Sequence, residues 1–232
     1  KKDRVTITTI SDGACMEGEA REAMAAIPGF AHKGKMAPYV LIISDNNTKL
    51  SGRIDKDSFS MAPTFQSLKN LGWHVLELKD GHSLQQCLFT IEHAIQMARQ
   101  NPQVPVAIHA HTIKGIGTKK TAESASGGHG FPCKSATEVL PFIQEIYGTS
   151  ALPPEFTDWA KELVELEERL KATAVKDTGE KIQVGVAKAM IKAKQKGLPV
   201  VSITSDLPGS TGVAAFQKEF PDHSFDVGIA ES

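Results

Sequence analysis

Four short apolar runs punctuate the first half of this chain: VTITTI (5–10), YVLIIS (39–44), WHVLEL (73–78) and VPVAIHA (104–110). They are too short for buried helices, and their β-branched content suits strands. YVLIIS is apolar at nearly every position, as in a strand covered on both faces. Between the runs the spacing predicts helices over 16–27, 63–71 and 83–100. In the first of these Met16, Ala20, Ala23, Met24 and Ile27 recur at helical intervals. Pro28-Gly29 reads as the end of that helix, and Gly72 as the end of the next. A βαβαβαβ order admits little besides a parallel sheet, because each parallel strand needs a crossover that lies on a face. The expected fold class is therefore α/β, a parallel sheet with helices on both faces.

After residue 110 the period lapses. HTIKGIGTKKTAESASGGHGFPCKSA (111–136) is rich in Gly, Ser, Lys and Thr, and irregular stretches of this length are commonly functional. A short helix is expected at 136–147. Residues 148–155 read as a boundary and 155–175 as a charged amphipathic helix. A second α/β unit then begins, with a helix at 179–196, strands at 199–204 and 224–229, and a helix near 212–219. The expected organisation is a first domain over 1–148, a linker over 149–176, and the start of a further, incomplete α/β domain over 177–232. A strand that begins within a few residues of one end, and an apolar run that stops at the other, suggest an internal piece of a longer polypeptide.

Net charge is −1, so no basic field points to nucleic acid or to a membrane surface. The three cysteines, Cys15, Cys87 and Cys133, form no CxxC pair, and neither a disulfide framework nor a cysteine–zinc site follows. Reduced thiols fit a cytoplasmic protein.

Two strand ends carry the chemistry. VTITTI runs into Ser-Asp-Gly (11–13), and YVLIIS runs into Asp-Asn-Asn (45–47). Ligands of open α/β sheets bind beyond the carboxyl ends of the strands. One carboxylate with amide and backbone oxygens is a hard donor set that suits Mg2+, or Ca2+ in its place, and Mg2+ shares its shell with phosphates. Gly13 permits a tight turn, and the helix after it offers free N–H groups to an anion. Asp12 could equally cap that helix, and Asn46-Asn47 could be an ordinary loop.

SDGACMEGEAREA followed by LIISDNNTKLSG resembles the thiamine-diphosphate motif, in which Gly-Asp-Gly and a spacer precede Asn-Asn. LGWHVLELKDGHSL, HTIKGIGTKKTAESASGGHGFP, TSDLPGST and DVGIAES are similar, in order, to landmarks of the transketolases. The resemblance implies a homodimer using thiamine diphosphate and Mg2+ to move two-carbon ketol units between sugar phosphates, as in the pentose phosphate pathway. It implies Asp12, Asn47 and the Lys49 carbonyl as metal ligands, with Gly13 against the diphosphate. Glu231 matches the glutamate that hydrogen-bonds the aminopyrimidine ring and promotes deprotonation of the thiazolium carbon. His129 matches a histidine facing the diphosphate and the reacting centre; a loop histidine is the plain alternative. Asp206 matches a cofactor-side position, and Ser210 one that reaches a substrate phosphate, where a simple turn is the alternative. Glu17 matches an interface glutamate, or is a first-turn carboxylate. His82 matches the Asp-Gly-His histidine and reads as structural first.

Three departures stand out. Ser11 replaces the first glycine, the Asp12-to-Asn47 spacing is long, and GEKIQVGVAKAM lacks the expected phosphate-binding arginine, leaving Lys181 or Gln183 nearest. The family's N-terminal substrate histidines have no counterpart, which predicts little turnover from this chain alone. A 1-deoxyxylulose-5-phosphate synthase-like enzyme, dihydroxyacetone synthase and a non-catalytic cofactor-binding paralogue are the other readings.

Overall fold

Each of the four apolar runs is a strand. In the computed structural model, which describes residues 4–126, 128–130, 133–174 and 179–230, these are β1 (Thr6–Ser11), β2 (Tyr39–Asp45), β3 (His74–Leu78) and β4 (Val106–His111). They form one parallel sheet in the order β1-β2-β4-β3. Between them lie α1 (Gly18–His32), α2 (Ile54–Asp57), α3 (Ala62–Leu71) and α4 (Leu84–Gln100). Side chains alternate across the sheet, so β2 feeds two cores. Leu41 and Ile43 pack with Met24, Phe65, Leu68 and Trp73 of the α1 and α3 layer. Val40 packs with Val106, Ile108, Ala94 and Ala98 of the α4 layer. The α/β class with helices on both faces is what the sequence predicts.

Helix α3 ends where Gly72 takes a left-handed φ of 104°, a conformation that favours glycine at a helix C-terminus. The expected break at Pro28-Gly29 does not occur: α1 continues to His32 with Pro28 inside it. A proline removes the N–H that would bond the carbonyl four residues back. Here that carbonyl, of Met24, accepts a 2.8 Å hydrogen bond from the buried Trp73 indole Nε1 instead. Trp73→Phe strands this acceptor. The substitution is expected to cost about 1–3 kcal/mol of stability, read by urea denaturation.

Beyond β4 lie α5 (Lys119–Ala122), α6 (Val139–Tyr147) and α7 (Pro154–Thr173). Helix α7 packs on α6 and on the turn before it, where Glu167 accepts a 2.6 Å hydrogen bond from the Ala136 N–H. The remaining chain forms α8 (Ile182–Gln195), β5 (Ser202–Thr204), α9 (Ala214–Glu219) and β6 (Ser224–Asp226), with β5 and β6 paired in parallel. Both strands are shorter than the apolar runs that contain them. Among the described residues no helix is long and apolar enough to cross a membrane.

Candidate cofactor and metal site

Asp12 stands at the carboxyl end of β1 and is 1% exposed. Its Oδ1 accepts from the Gly13 N–H at 2.8 Å. Its Oδ2 accepts from the N–H groups of Asn46 at 2.8 Å and Asn47 at 2.5 Å. The carboxylate thus ties the end of β1 to the loop after β2, and the two strand ends meet. Asp12 is not the helix cap: Ser11, in the place of the usual glycine, accepts from the Ala14 N–H at 3.2 Å through Oγ. Burial pushes the Asp12 carboxyl up from its ordinary value, against the pull of the three N–H groups.

Asn47 adopts a left-handed φ of 54°. Its side chain is fixed by Asp55, donating from Nδ2 to Oδ1 at 2.7 Å and accepting the Asp55 N–H at 3.0 Å through its own Oδ1. A carboxamide oxygen has a second lone pair, which leaves Asn47 Oδ1 able to ligate a cation. Asn46 Oδ1 is buried without a hydrogen-bond partner among the described residues.

Gly13 lies beneath the C-terminal segment. A Cβ there would come 2.8 Å from Ile229 Cδ1 and 3.7 Å from the Thr48 carbonyl. Gly13→Ala is therefore expected to force Ile229 aside at a cost of about 1–3 kcal/mol, measured by chemical denaturation.

Lys49 contributes more than a carbonyl. Its ammonium has no solvent exposure and pairs with Asp206 Oδ1 at 2.5 Å and Asp226 Oδ2 at 2.8 Å. Asp206, at a left-handed φ of 60°, also accepts from the Leu50 N–H at 2.6 Å, the Ser51 N–H at 3.1 Å and the Ser51 hydroxyl. Its carboxylate is thus taken up by the 49–51 loop, and it joins the second unit to the first. Burial alone would raise Asp206, but Lys49 and Ser51 hold it below the ordinary carboxylate value. Burial alone would lower Lys49, but the two aspartates hold it above its ordinary value.

The other expected site residues are more scattered. His129 is exposed, with Nδ1 3.1 Å from Lys114 Nζ. Ser210 is exposed in the turn after β5, its hydroxyl 3.4 Å from the Leu207 carbonyl. His82 accepts the Ile113 N–H at 2.7 Å, a loop-bracing role. Glu17 is half-buried at the start of α1. Glu231 lies outside the described residues. Cys15 is buried, its thiol pushed up to about 12 chiefly by burial, so it is no nucleophile at neutral pH.

Beside Asp12 a cleft of about 700 Å³ opens between the sheet and α3. Asp45, Glu77, His109 and His111 line it. Sequence reasoning missed these as a group. The available signal was the His-Ala-His run, because alternate residues of a strand share a face.

Residues 1–195 match the family model described as transketolase, thiamine diphosphate binding domain. A 1-deoxy-D-xylulose-5-phosphate synthase of Halothermothrix orenii is 30% identical over 163 residues, 70% of this chain and 20% of that protein. A transketolase of Bacillus subtilis is 32% identical over 130 residues, 56% of this chain and 18% of that protein. The solved structure of a transketolase from Leishmania mexicana aligns over 97% of this chain and 39% of its own, at 16% identity and a TM-score of 0.46. The matched stretches of the two curated relatives span about a fifth of their length.

Proposed function

This chain belongs to the transketolase family through its thiamine diphosphate binding domain, and from that premise we propose that it is the diphosphate- and Mg2+-binding part of a ketol-transferring enzyme. The observation that carries the reading is the Asp12 carboxylate. It is buried, its hydrogen bonds come from three backbone N–H groups, and burial disfavours its charge. A divalent cation supplies the missing counter-charge, and the surrounding oxygen donors suit Mg2+.

In this reading Asp12, Asn47 Oδ1 and the Lys49 carbonyl hold the metal, with Ca2+ as a possible substitute, and Gly13 keeps the backbone close to the diphosphate. Thiamine diphosphate supplies, when bound, a nucleophilic carbon and an electron sink. Glu231, outside the described residues, is the residue that would hydrogen-bond its pyrimidine. His129, beside Lys114, offers a donor to an anionic oxygen and can hold a proton there. Asp206 anchors the cofactor loop through Lys49 and Ser51, and Ser210, exposed in its turn, would serve a substrate phosphate. The substrates are sugar phosphates and the working form is a homodimer with shared sites. The domain limits that go with this reading are 1–148, 149–176 and 177–232.

A second reading, a 1-deoxyxylulose-5-phosphate synthase-like enzyme, draws on one observation. The segment carrying Asp206 and Asp226 docks on the cofactor loop of its own chain. The test is a turnover assay on the polypeptide that carries this chain. A two-carbon transfer from a ketose phosphate to an aldose phosphate supports the first reading, and formation of deoxyxylulose phosphate the second. Neither product, with cofactor bound, points to the non-catalytic paralogue.

A further inference from the structure

The register of three neighbouring strands gathers four metal-competent side chains on one face of the sheet. His109 and His111 alternate along β4, so both face the α3 side. Asp45 of β2 pairs with His111, and Glu77 of β3 pairs with His109. Asp45 Oδ2 lies 2.8 Å from His109 Nε2. Glu77 Oε2 lies 3.3 Å from His109 Nδ1 and 3.1 Å from His111 Nε2. The two imidazole rings are 4.6 Å apart between centroids. One ligand atom each from Asp45, His109 and His111 fall within 4.8 Å of one another.

We propose that Asp45, His109 and His111 bind a divalent transition-metal ion of the zinc class, beside the Mg2+ site in the cleft that Asp12 and Asn47 also line, with Glu77 as the carboxylate behind both imidazoles. Donors around a tetrahedral zinc stand about 3.3 Å apart, so modest side-chain adjustment closes the triad. Two imidazoles and one carboxylate favour zinc, iron, cobalt or nickel over the hard cations that suit the oxygens at Asp12. Glu77 meets His109 on Nδ1, which leaves Nε2 for the metal. It meets His111 on Nε2, which leaves Nδ1. A carboxylate on the far nitrogen of a ligating histidine fixes its tautomer and orientation. Three protein ligands leave a coordination position open toward the 700 Å³ cleft. Water or an oxygen anion fills such a position. Lys69, at the rim, favours a carboxylate or phosphate there.

The experiment uses the chain after chelator treatment and dialysis, with its fold verified by circular dichroism. Co2+ titration is expected to give a visible ligand-field band that saturates at one ion per chain. Zn2+ should displace it, and excess Mg2+ with thiamine diphosphate should not. In competition with a chromophoric chelator, His111→Ala and His109→Ala should each weaken Zn2+ by about 100-fold or more, and Glu77→Gln by about 10-fold. His111 is the half-exposed member, 48% accessible at its side chain, so its removal spares the core. A Co2+ band that Mg2+ displaces, no saturable band, or equal Zn2+ affinity in wild type and His111→Ala would each overturn the proposal. None of these results bears on thiamine diphosphate binding at Asp12.

Discussion

Asp12→Asn is expected to abolish Mg2+-dependent binding of thiamine diphosphate and to weaken the fold at the same point. The carboxylate gives both oxygens to backbone N–H groups, Oδ1 to Gly13 and Oδ2 to Asn46 and Asn47. A carboxamide must turn its NH2 toward one of these donors, leaving a buried N–H unpaired at a cost of about 1–3 kcal/mol. It also removes the charge that a divalent ion needs, and a metal affinity loss of about 100-fold or more follows. The pH dependence has a definite sign. Burial raises Asp12 above its ordinary 3.8, so between that value and the raised one the folded chain holds a proton that the unfolded chain has released. The Asp12 contribution to stability without metal therefore falls as pH rises through this window. Saturating Mg2+ should cancel the fall, and Asp12→Asn should lack it. Thermal melts at several pH values, with and without Mg2+, would show both effects.

The second large effect is expected at Lys49. Its ammonium is wholly buried between Asp206 and Asp226. Lys49→Ala leaves the buried Asp206 carboxylate and the partly buried Asp226 carboxylate without their cation, and removing one partner of a buried ion pair costs about 3–5 kcal/mol. The loss should appear as release of the 202–230 segment, read by limited proteolysis alongside urea denaturation. Replacing all three charges, with Lys49→Met, Asp206→Asn and Asp226→Asn, should recover much of it, because no uncompensated charge remains. The cluster also sets a pH window. Asp206 sits below its ordinary 3.8, so its contribution is present above that value and is lost as pH falls through the lower folded value. Lys49 sits above its ordinary 10.5, so its contribution is complete below that value and is lost as pH rises through the higher folded one. Docking of the second unit should hold between these limits and loosen beyond either.

Local pattern revealed the sheet because burial on both faces leaves a continuous apolar run, and the helices between the strands carry their own period. Pro28 reads as a helix break because its remedy is not local: the Trp73 indole that satisfies Met24 lies 49 residues away in sequence. In sequence, Lys49 reads as a loop residue that offers its carbonyl. Nothing nearby announces that its side chain is buried, since its partner Asp206 lies 157 residues on. The His109 cluster was hidden in the same way. His109 stands at the end of a predicted strand and His111 just past it, but Asp45 lies 64 residues from His109 and Glu77 lies 34 from His111. Only strand order and register bring them together. The Asp12–Asn47 pairing was legible because both residues sit at strand ends, and a parallel sheet places such ends on one edge.

The most direct test of the central claim is a calorimetric titration of this chain with thiamine diphosphate, once with Mg2+ and once with a chelator in its place. Saturable binding that requires Mg2+, and that is lost in Asp12→Asn, is the predicted result. Binding that ignores Mg2+, or no binding at any Mg2+ concentration by a chain shown to be folded, would contradict it.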